Sequence, residues 1–304
     1  MEQQLITMSD GAVLDTYVQA TTKTPRAHIH FVHGMAEHIA RYGEVMDDLA
    51  KEGYVVTGFN QRGHGPLALE NHRLGDFDDG VTFDRLVEDV YEIMNAYKTM
   101  YPDVPRILFG HSMGSFVARR FSQTYGAEID GLICSGTAGK PGMTGIGGSL
   151  LSAILSFKDG SHAPSDVLDQ IGFGGYNKMI KNPKTKFDWL STDQESVQKY
   201  LDDPLSGTVS TNQFFRVLFD GLKLISTPKN YESVPVQLPV LLFSGTADPV
   251  GGQGKGVFEA ARLFSKAGVE NVTVHLFENV RHESLQGPSR DSVLQVMKQW
   301  MNCL

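Results

Sequence analysis

Ser112 stands between Gly110 and Gly114 in ILFGHSMGSFVARRF (Ile107 to Phe121), where an apolar run turns through Gly-His-Ser-Met-Gly into helix-like sequence. A serine with glycine two residues away on either side can be held at the apex of a sharp strand-to-helix corner, its Oγ exposed to attack a carbonyl. In a chain with 32 glycines the Gly-x-Ser-x-Gly pattern alone is a modest signal, and a plain Gly-rich turn would also explain it. Context decides for the nucleophile. The strand-like RILF precedes the turn, and Ser115 to Phe121 follow with helical character.

A serine hydroxyl is a poor nucleophile at neutral pH, so it needs an adjacent base, and the base needs an orienting group. When the serine follows an early strand of a parallel sheet, those partners come later in the chain, acid first and then His. The strand-like PVLLFSGTADPV ends in Asp248, and VTVHLFENVRHES ends in His282. The preceding strand runs into the uncharged SGTAG, so Asp248 has no rival there; its bland alternative is a turn aspartate. His282 is one of 10 histidines. His28, His30 and His275 lie inside strands and read as structural, and His111 adjoins the serine but is expected to point away from it. Glu278 and Glu283 could tune His282, although a solvated loop charge is the simpler expectation. A developing oxyanion also needs donors, each worth ~2.7–4 kcal/mol in a dry site. The backbone N–H groups of Met113, directly after the serine, and of Met35, in His33-Gly34-Met35, are the candidates.

These residues must be positioned by an alternating architecture. LITM and LDTYVQA, joined by Ser9-Asp10-Gly11, read as a hairpin. HIHFVHG, YVVTGFN, RILFGHS, GLICSGT, VLLFSGT and VTVHLFE read as buried strands, each nearly continuous in apolar residues. Such runs separated by helices predict a mostly parallel sheet covered on both faces, an α/β fold. From Phe83 onward, Leu86, Val90, Ile93, Met94 and Tyr97 form an apolar face, with Arg85, Glu88, Asp89 and Glu92 on the wet one. A last helix after Gly287-Pro288 would bury Val293, Val296, Met297, Trp300 and Met301. The alternation breaks between GLICSGT and LPVLLFSGTADP. A structureless loop of that length is improbable, which predicts a core of 1–137 and 236–304 interrupted by a mainly helical cap at 138–235.

Bulk properties narrow the function. The 304-residue chain is 41% hydrophobic and carries a net charge of −8, so it is globular and has no electrostatic pull toward nucleic acid. Cys134 and Cys303 make neither a disulfide framework nor a metal cage, and they fit a reducing cytoplasm. No metal-ligand cluster is visible. The N-terminus lacks a secretion-signal pattern, and no apolar run approaches the ~18 residues of a membrane span. The expectation is a soluble, cytoplasmic protein.

With HGMAEHIARYGEVMDDLAKEGYVVTGFNQRGHG, GHSMGS, SGTADPVGG and RHESL in hand, the chain resembles the monoacylglycerol lipase and lysophospholipase branch of the α/β-hydrolase fold. The resemblance is strong over the first ~125 and last ~70 residues and weaker in the cap, where FGGYNKMI, FDWLSTD and DDPLSG look like family segments. It implies Ser112, Asp248 and His282 as a triad, Met35 and Met113 as oxyanion donors, a lid over an acyl-chain pocket, and no cofactor. Two segments depart from the family pattern. FNQRGHG has Asn60 and Gln61 where Asp and His are common, and RHESLQG has Ser284 and Gln286 where a more acidic tail is common.

The expected activity is hydrolysis of a lipid monoester, a monoacylglycerol or a lysophospholipid, through an acyl-enzyme on Ser112. The alternatives are a short-chain or aromatic carboxylesterase and a non-catalytic binder on the same fold. The cap residues Leu150, Leu151, Ala153, Ile154, Leu155 and Phe157 could line an acyl entrance or touch a lipid surface, or form a buried cap helix. Lys178, Lys181, Lys184 and Lys186 could meet a phosphate head group, or be a solvated face.

Overall fold

Eight strands form one sheet in the order β1-β2-β4-β3-β5-β6-β7-β8. They are β1 Glu2–Thr7, β2 Val13–Gln19, β3 Ala27–Val32, β4 Tyr54–Phe59, β5 Arg106–His111, β6 Gly131–Ser135, β7 Val240–Gly245 and β8 Val272–Phe277. The β1–β2 hairpin is antiparallel and joins β4 antiparallel; all later pairings are parallel. The computed structural model describes residues 1–140 and 143–304, with the side chains of 143–146 outside that description. Pro141 and Gly142, in the Gly-rich stretch expected to open the insertion, lie outside the described residues.

The helices are α1 Gly43–Lys51, α2 Gly65–Glu70, α3 Phe83–Lys98, α4 Met113–Tyr125, α5 Met143–Asp159, α6 Asp166–Gly172, α7 Gln194–Asp202, α8 Asn212–Ser226, α9 Lys255–Lys266 and α10 Arg290–Met301. Successive strand residues face opposite layers. Ile107 and Phe109 of β5 pack with Met46 and Leu49 of α1 and with Met297 and Trp300 of α10. Leu108, between them, packs with Val90 of α3, Val117 and Phe121 of α4, and Phe264 of α9. Every residue of β3, β4, β6 and β7 is buried, which explains their nearly continuous apolar sequences. β8 is the exception to the buried-strand expectation: it is the sheet edge and mostly half-exposed.

Helix α3 starts at Thr82, whose hydroxyl accepts from the Arg85 N–H. Its apolar face is as read from the sequence, but Asp89 is not on the wet face. It is buried, and its carboxylate takes the Arg62 guanidinium at 2.6 and 2.8 Å. A buried carboxylate is tolerable only when so paired.

The segment between β6 and β7 contains α5 to α8, and α5 lies against α8. Leu151 and Leu155 turn inward. Leu150, Ile154 and Phe157 instead face outward, 68%, 54% and 95% exposed, so α5 is not a fully buried cap helix. Lys178, Lys181, Lys184 and Lys186 are all exposed. No helix among the described residues is long and apolar enough to cross a membrane.

Candidate active site

The corner between β5 and α4 places Ser112 at φ 51°, ψ −120°, a backbone conformation rarely adopted by a side-chain-bearing residue. The surroundings enforce it. Ser112 N–H donates to the Ser135 carbonyl at 2.9 Å, and the Ser112 carbonyl accepts from the Ser115 N–H and hydroxyl at 2.9 and 2.6 Å. The flanking glycines are needed for packing. A Cβ at Gly110 would lie 2.3 Å from the Gly114 carbonyl oxygen, and one at Gly114 would lie 2.1 Å from that of Val32. The β3 loop therefore touches the corner: a Cβ at Gly34 would sit 3.2 Å from Ser112 Cβ. Met35 follows in that loop. Met113 opens α4, where the first backbone N–H groups have no partner within the helix.

Asp248 and His282 come together beyond the ends of β7 and β8. His282 Nδ1 lies 3.1 Å from both Asp248 oxygens. The carboxylate also accepts from Ser244 Oγ at 2.6 Å and from the Val250 N–H at 2.9 Å. Both side chains are buried. Burial alone would push the Asp248 carboxyl upward, but the His282 charge, its hydrogen bond and those from Ser244 and Val250 hold it below the usual range. Burial likewise disfavours the His282 imidazolium, yet the facing carboxylate outweighs it and the net shift is upward. With Nδ1–H committed to Asp248, Nε2 is left free to take a proton.

His111 does not point away from this group. Its ring lies 4.7 Å from that of His282, with Nδ1 3.1 Å from Ser135 Oγ, and it lines the same cavity. Burial first, then the His282 charge, pushes it down to about 3, so it is a neutral neighbour of His282 rather than a second base.

Glu283 is not a solvated loop charge. It is buried and meets Arg41 in a two-pronged pair at 2.5 and 2.8 Å. Arg41 also binds Glu37 at 2.7 Å, and Glu37 takes the Gly34 N–H at 2.5 Å and the Tyr42 hydroxyl at 2.9 Å. One guanidinium thus joins the Gly34 loop to the His282 loop, which the fork geometry of arginine suits. Sequence reading missed Glu37, Arg41, His33 and His64; the signal available was their place within HGMAEHIARY and GHG.

His33 donates from Nδ1 to the Gly34 carbonyl at 2.7 Å, while its Nε2 accepts from the Gln61 N–H at 3.0 Å. His64 donates from Nδ1 to the Arg62 carbonyl at 2.9 Å, and its Nε2 accepts from the Ala36 N–H at 3.1 Å. Both arrangements require neutral imidazoles, and burial holds His33 well below its ordinary value and His64 down at about 4. Asn60 and Gln61 are building residues. Asn60 accepts from the Ile39 N–H at 2.9 Å and donates to Asp15 at 2.7 Å; Gln61 donates to the His33 carbonyl at 2.6 Å. Gln286 donates to the Arg41 carbonyl at 3.1 Å, and Ser284 is buried.

The neutral histidines carry a stability consequence. His28 (about 4), His64 (about 4) and His111 (about 3) are depressed in the fold, chiefly by burial. A depressed group stabilises the fold above its unfolded value, ~6.5 for His, and that contribution is lost as pH falls toward the folded value. At pH 5 these three should therefore bind about three protons on unfolding. His282 and His162, both raised, are already charged in either state and add nothing. Thermal midpoints measured from pH 7 to pH 4.5 should fall steadily; a flat profile would contradict neutral buried imidazoles.

Two cavities meet at Ser112. One contains His282, His111, Trp189 and Tyr200 and reaches the polar Asp169 and Lys186. The other lacks His282 and is lined by Met113, Phe116, Ile171, Leu218, Phe219 and Leu222. Ser112, Met35 and Phe173 belong to both. Of Lys178, Lys181, Lys184 and Lys186, it is Lys186 that lines one of these cavities, with its Nζ 4.7 Å from the Phe187 ring centre, while Lys140 lines the apolar one.

The chain is similar over nearly its whole length to several hydrolases. It is 25% identical to the monoacylglycerol lipase of Mycolicibacterium smegmatis, with 96% of this chain and 94% of that one aligned. It is 25% identical to the monoglyceride lipase of Rattus norvegicus, with 97% and 88% covered. In three dimensions it matches a thermostable carboxyl esterase from Bacillus coagulans, solved with glycerol, at TM-score 0.93 and 26% identity over 99% and 98% of the two chains. A family model described as Serine aminopeptidase, S33 (Hydrolase_4) matches residues 23–289. The left-handed serine corner, the parallel sheet with its helical insertion and this match agree: the chain belongs to that serine hydrolase family and has the α/β-hydrolase fold.

Proposed function

We propose that the chain hydrolyses carboxylic esters of lipid monoesters, with Ser112, Asp248 and His282 as the catalytic group. The observation that carries this reading is the junction at Ser112 of an apolar cavity and a second cavity that contains His282. The base must return its proton to the departing alcohol, so the alcohol belongs on the His282 side and the acyl chain in the apolar cavity. Near full-length similarity to monoglyceride lipases and to a carboxyl esterase favours an ester over an amide.

In the cycle, His282 Nε2 takes the hydroxyl proton as Ser112 Oγ bonds to the carbonyl carbon. The N–H groups of Met35 and Met113 hold the oxyanion, worth ~2.7–4 kcal/mol each. Asp248 keeps the imidazole in the Nδ1–H tautomer and faces the imidazolium. The C–O bond to the alcohol breaks, and the alkoxide takes the proton from Nε2. Water then attacks the acyl-serine, giving its proton to Nε2, and the fatty acid leaves with Ser112 reprotonated. The carboxyl esterase similarity also keeps a short-ester reading open to test.

Contact of the insertion with a lipid surface belongs to the same proposal. Leu150, Ile154 and Phe157 of α5 are exposed together, and Ile171 is 40% exposed while also lining the apolar cavity. An exposed apolar face of this kind beside a cavity fits uptake of a chain from a bilayer. The two free cysteines, buried Cys134 and exposed Cys303, are consistent with a reducing, cytoplasmic setting.

The test compares kcat/KM for a monoacylglycerol, a lysophosphatidylcholine of the same chain and a soluble acetyl ester, with Ser112→Ala as blank. Phe157→Ser is run beside the native protein. Long-chain esters should be preferred, and Phe157→Ser should cost severalfold only on vesicle-borne substrate. Preference for the acetyl ester would make the chain a short-ester esterase. No turnover of any of the three above the blank would overturn the lipid-monoester reading and leave an aromatic ester or a binder.

A further inference from the structure

Ala36, next to Met35, has φ 54°, a left-handed conformation that favours glycine and that an alanine keeps only when its neighbours hold it. Its N–H is taken by His64 Nε2. Its carbonyl accepts two bonds, both from the segment inserted between β6 and β7. They come from the Tyr200 hydroxyl of α7 at 2.8 Å and from the Gly207 N–H at 2.9 Å.

Tyr200 is well placed to act as a brace. It is buried, its ring lies 4.9 Å from that of Phe187, and the Arg41 guanidinium sits over its face at 4.8 Å. That same Arg41 holds Glu37, which holds the Gly34 N–H. The end of α7 is pinned to the core again by Asp203, whose carboxylate meets His38 Nε2 at 2.6 Å. The peptide carrying the Met35 N–H is thus bracketed, by Glu37 on the Gly34 side and by His64, Tyr200 and Gly207 on the Ala36 side.

We infer that Tyr200 is a positioning residue for the oxyanion donor: through its bond to the Ala36 carbonyl, the inserted helical segment holds the Met35 N–H in its catalytic direction. The inference rests on the reading of Ser112 as nucleophile and Met35 as donor. Its consequence is that catalytic competence depends on the seating of α7 on the core, not only on whether the cavity is open.

Tyr200→Phe removes the hydroxyl and keeps the ring with its packing. Expected is a fall in kcat of about tenfold to a hundredfold, the scale of a small misplacement of a catalytic group, with KM within about twofold. A trifluoromethyl ketone, whose adduct with a serine carries the oxyanion, should bind more weakly by the same factor as kcat/KM. Glycine adopts the Ala36 conformation without cost, so adding Ala36→Gly to Tyr200→Phe should recover most of the lost kcat. A substrate contact or a general loss of folding would show no such rescue.

An unchanged kcat, a loss confined to KM, or no recovery with Ala36→Gly would overturn the inference. A fluorophosphonate reporter separates the two levels. If it fails to label the native protein at Ser112, the nucleophile reading falls and takes this inference with it. If it labels Ser112 while Tyr200→Phe turns over like the native protein, the inference alone falls.

Discussion

Ser112→Ala is expected to lower kcat by about five to six orders of magnitude, the loss seen when a serine hydrolase nucleophile is removed. On the proposed route, no acyl-enzyme can form without Oγ. The variant should still fold, because alanine at φ 51° suffers the same backbone strain as serine and keeps the bonds to Ser135 and Ser115, which use only backbone atoms of residue 112. Thermal unfolding should therefore be little changed while turnover disappears. A residual rate of ~10³–10⁴ over the uncatalysed reaction would come from the oxyanion donors and binding alone. Single-turnover measurement on a chromogenic ester gives the number. Substantial retained turnover with a folded variant would place the chemistry elsewhere.

Asp248→Asn should cost about 10⁴-fold in kcat, chiefly by reversing the tautomer of the base. In the native arrangement both carboxylate oxygens face His282 Nδ1, one also accepting from Ser244 and the other from the Val250 N–H. An amide turned to keep those acceptor bonds cannot offer two acceptors, and its N–H₂ facing Nδ1 would drive the proton to Nε2, where it blocks attack by Ser112. The pH profile gives a second, independent sign. In the native protein the carboxylate outweighs burial and holds His282 above its ordinary value. Activity needs the neutral base, so kcat/KM should rise with pH through a midpoint above ~6.5. Without the Asp248 charge, only the smaller contributions of Glu283 and Glu37 oppose burial, and that midpoint should move down. A fall in kcat with no movement of the acid limb would mean that Asp248 acts on geometry only.

The corner at Ser112 was legible from about fifteen residues because an apolar strand, two small residues and a helix-forming run mark such a turn locally. What enforces it from outside is backbone, the Ser135 carbonyl and the Val32 carbonyl beside Gly114, so no distant side chain had to be known. The order of Asp248 and His282 was legible for a related reason: in a parallel sheet, the ends of later strands lie on the same edge as the serine. Charged residues were read less well. Asp89 and Glu283 were assigned to solvent because sequence patterns place charges there. Each is buried against an arginine, Arg62 at 27 residues' separation and Arg41 at 242. His111 was misplaced because the direction of its ring depends on Ser135 and His282, which arrive from other strands.

By itself, the sequence determined the alternating elements, the serine corner and the candidate acid and base, all of which follow from short-range sterics and the periodicity of apolar residues. Only the tertiary structure decided how the β3 loop is held, which histidines stay neutral, and that Tyr200 of the inserted segment binds the carbonyl next to Met35. The physical reason is desolvation. Once the sheet and its helices close, every buried polar group must find a partner at hydrogen-bond distance. The partners available are set by which distant segments the fold brings together, and neither pattern nor spacing along the chain encodes that choice.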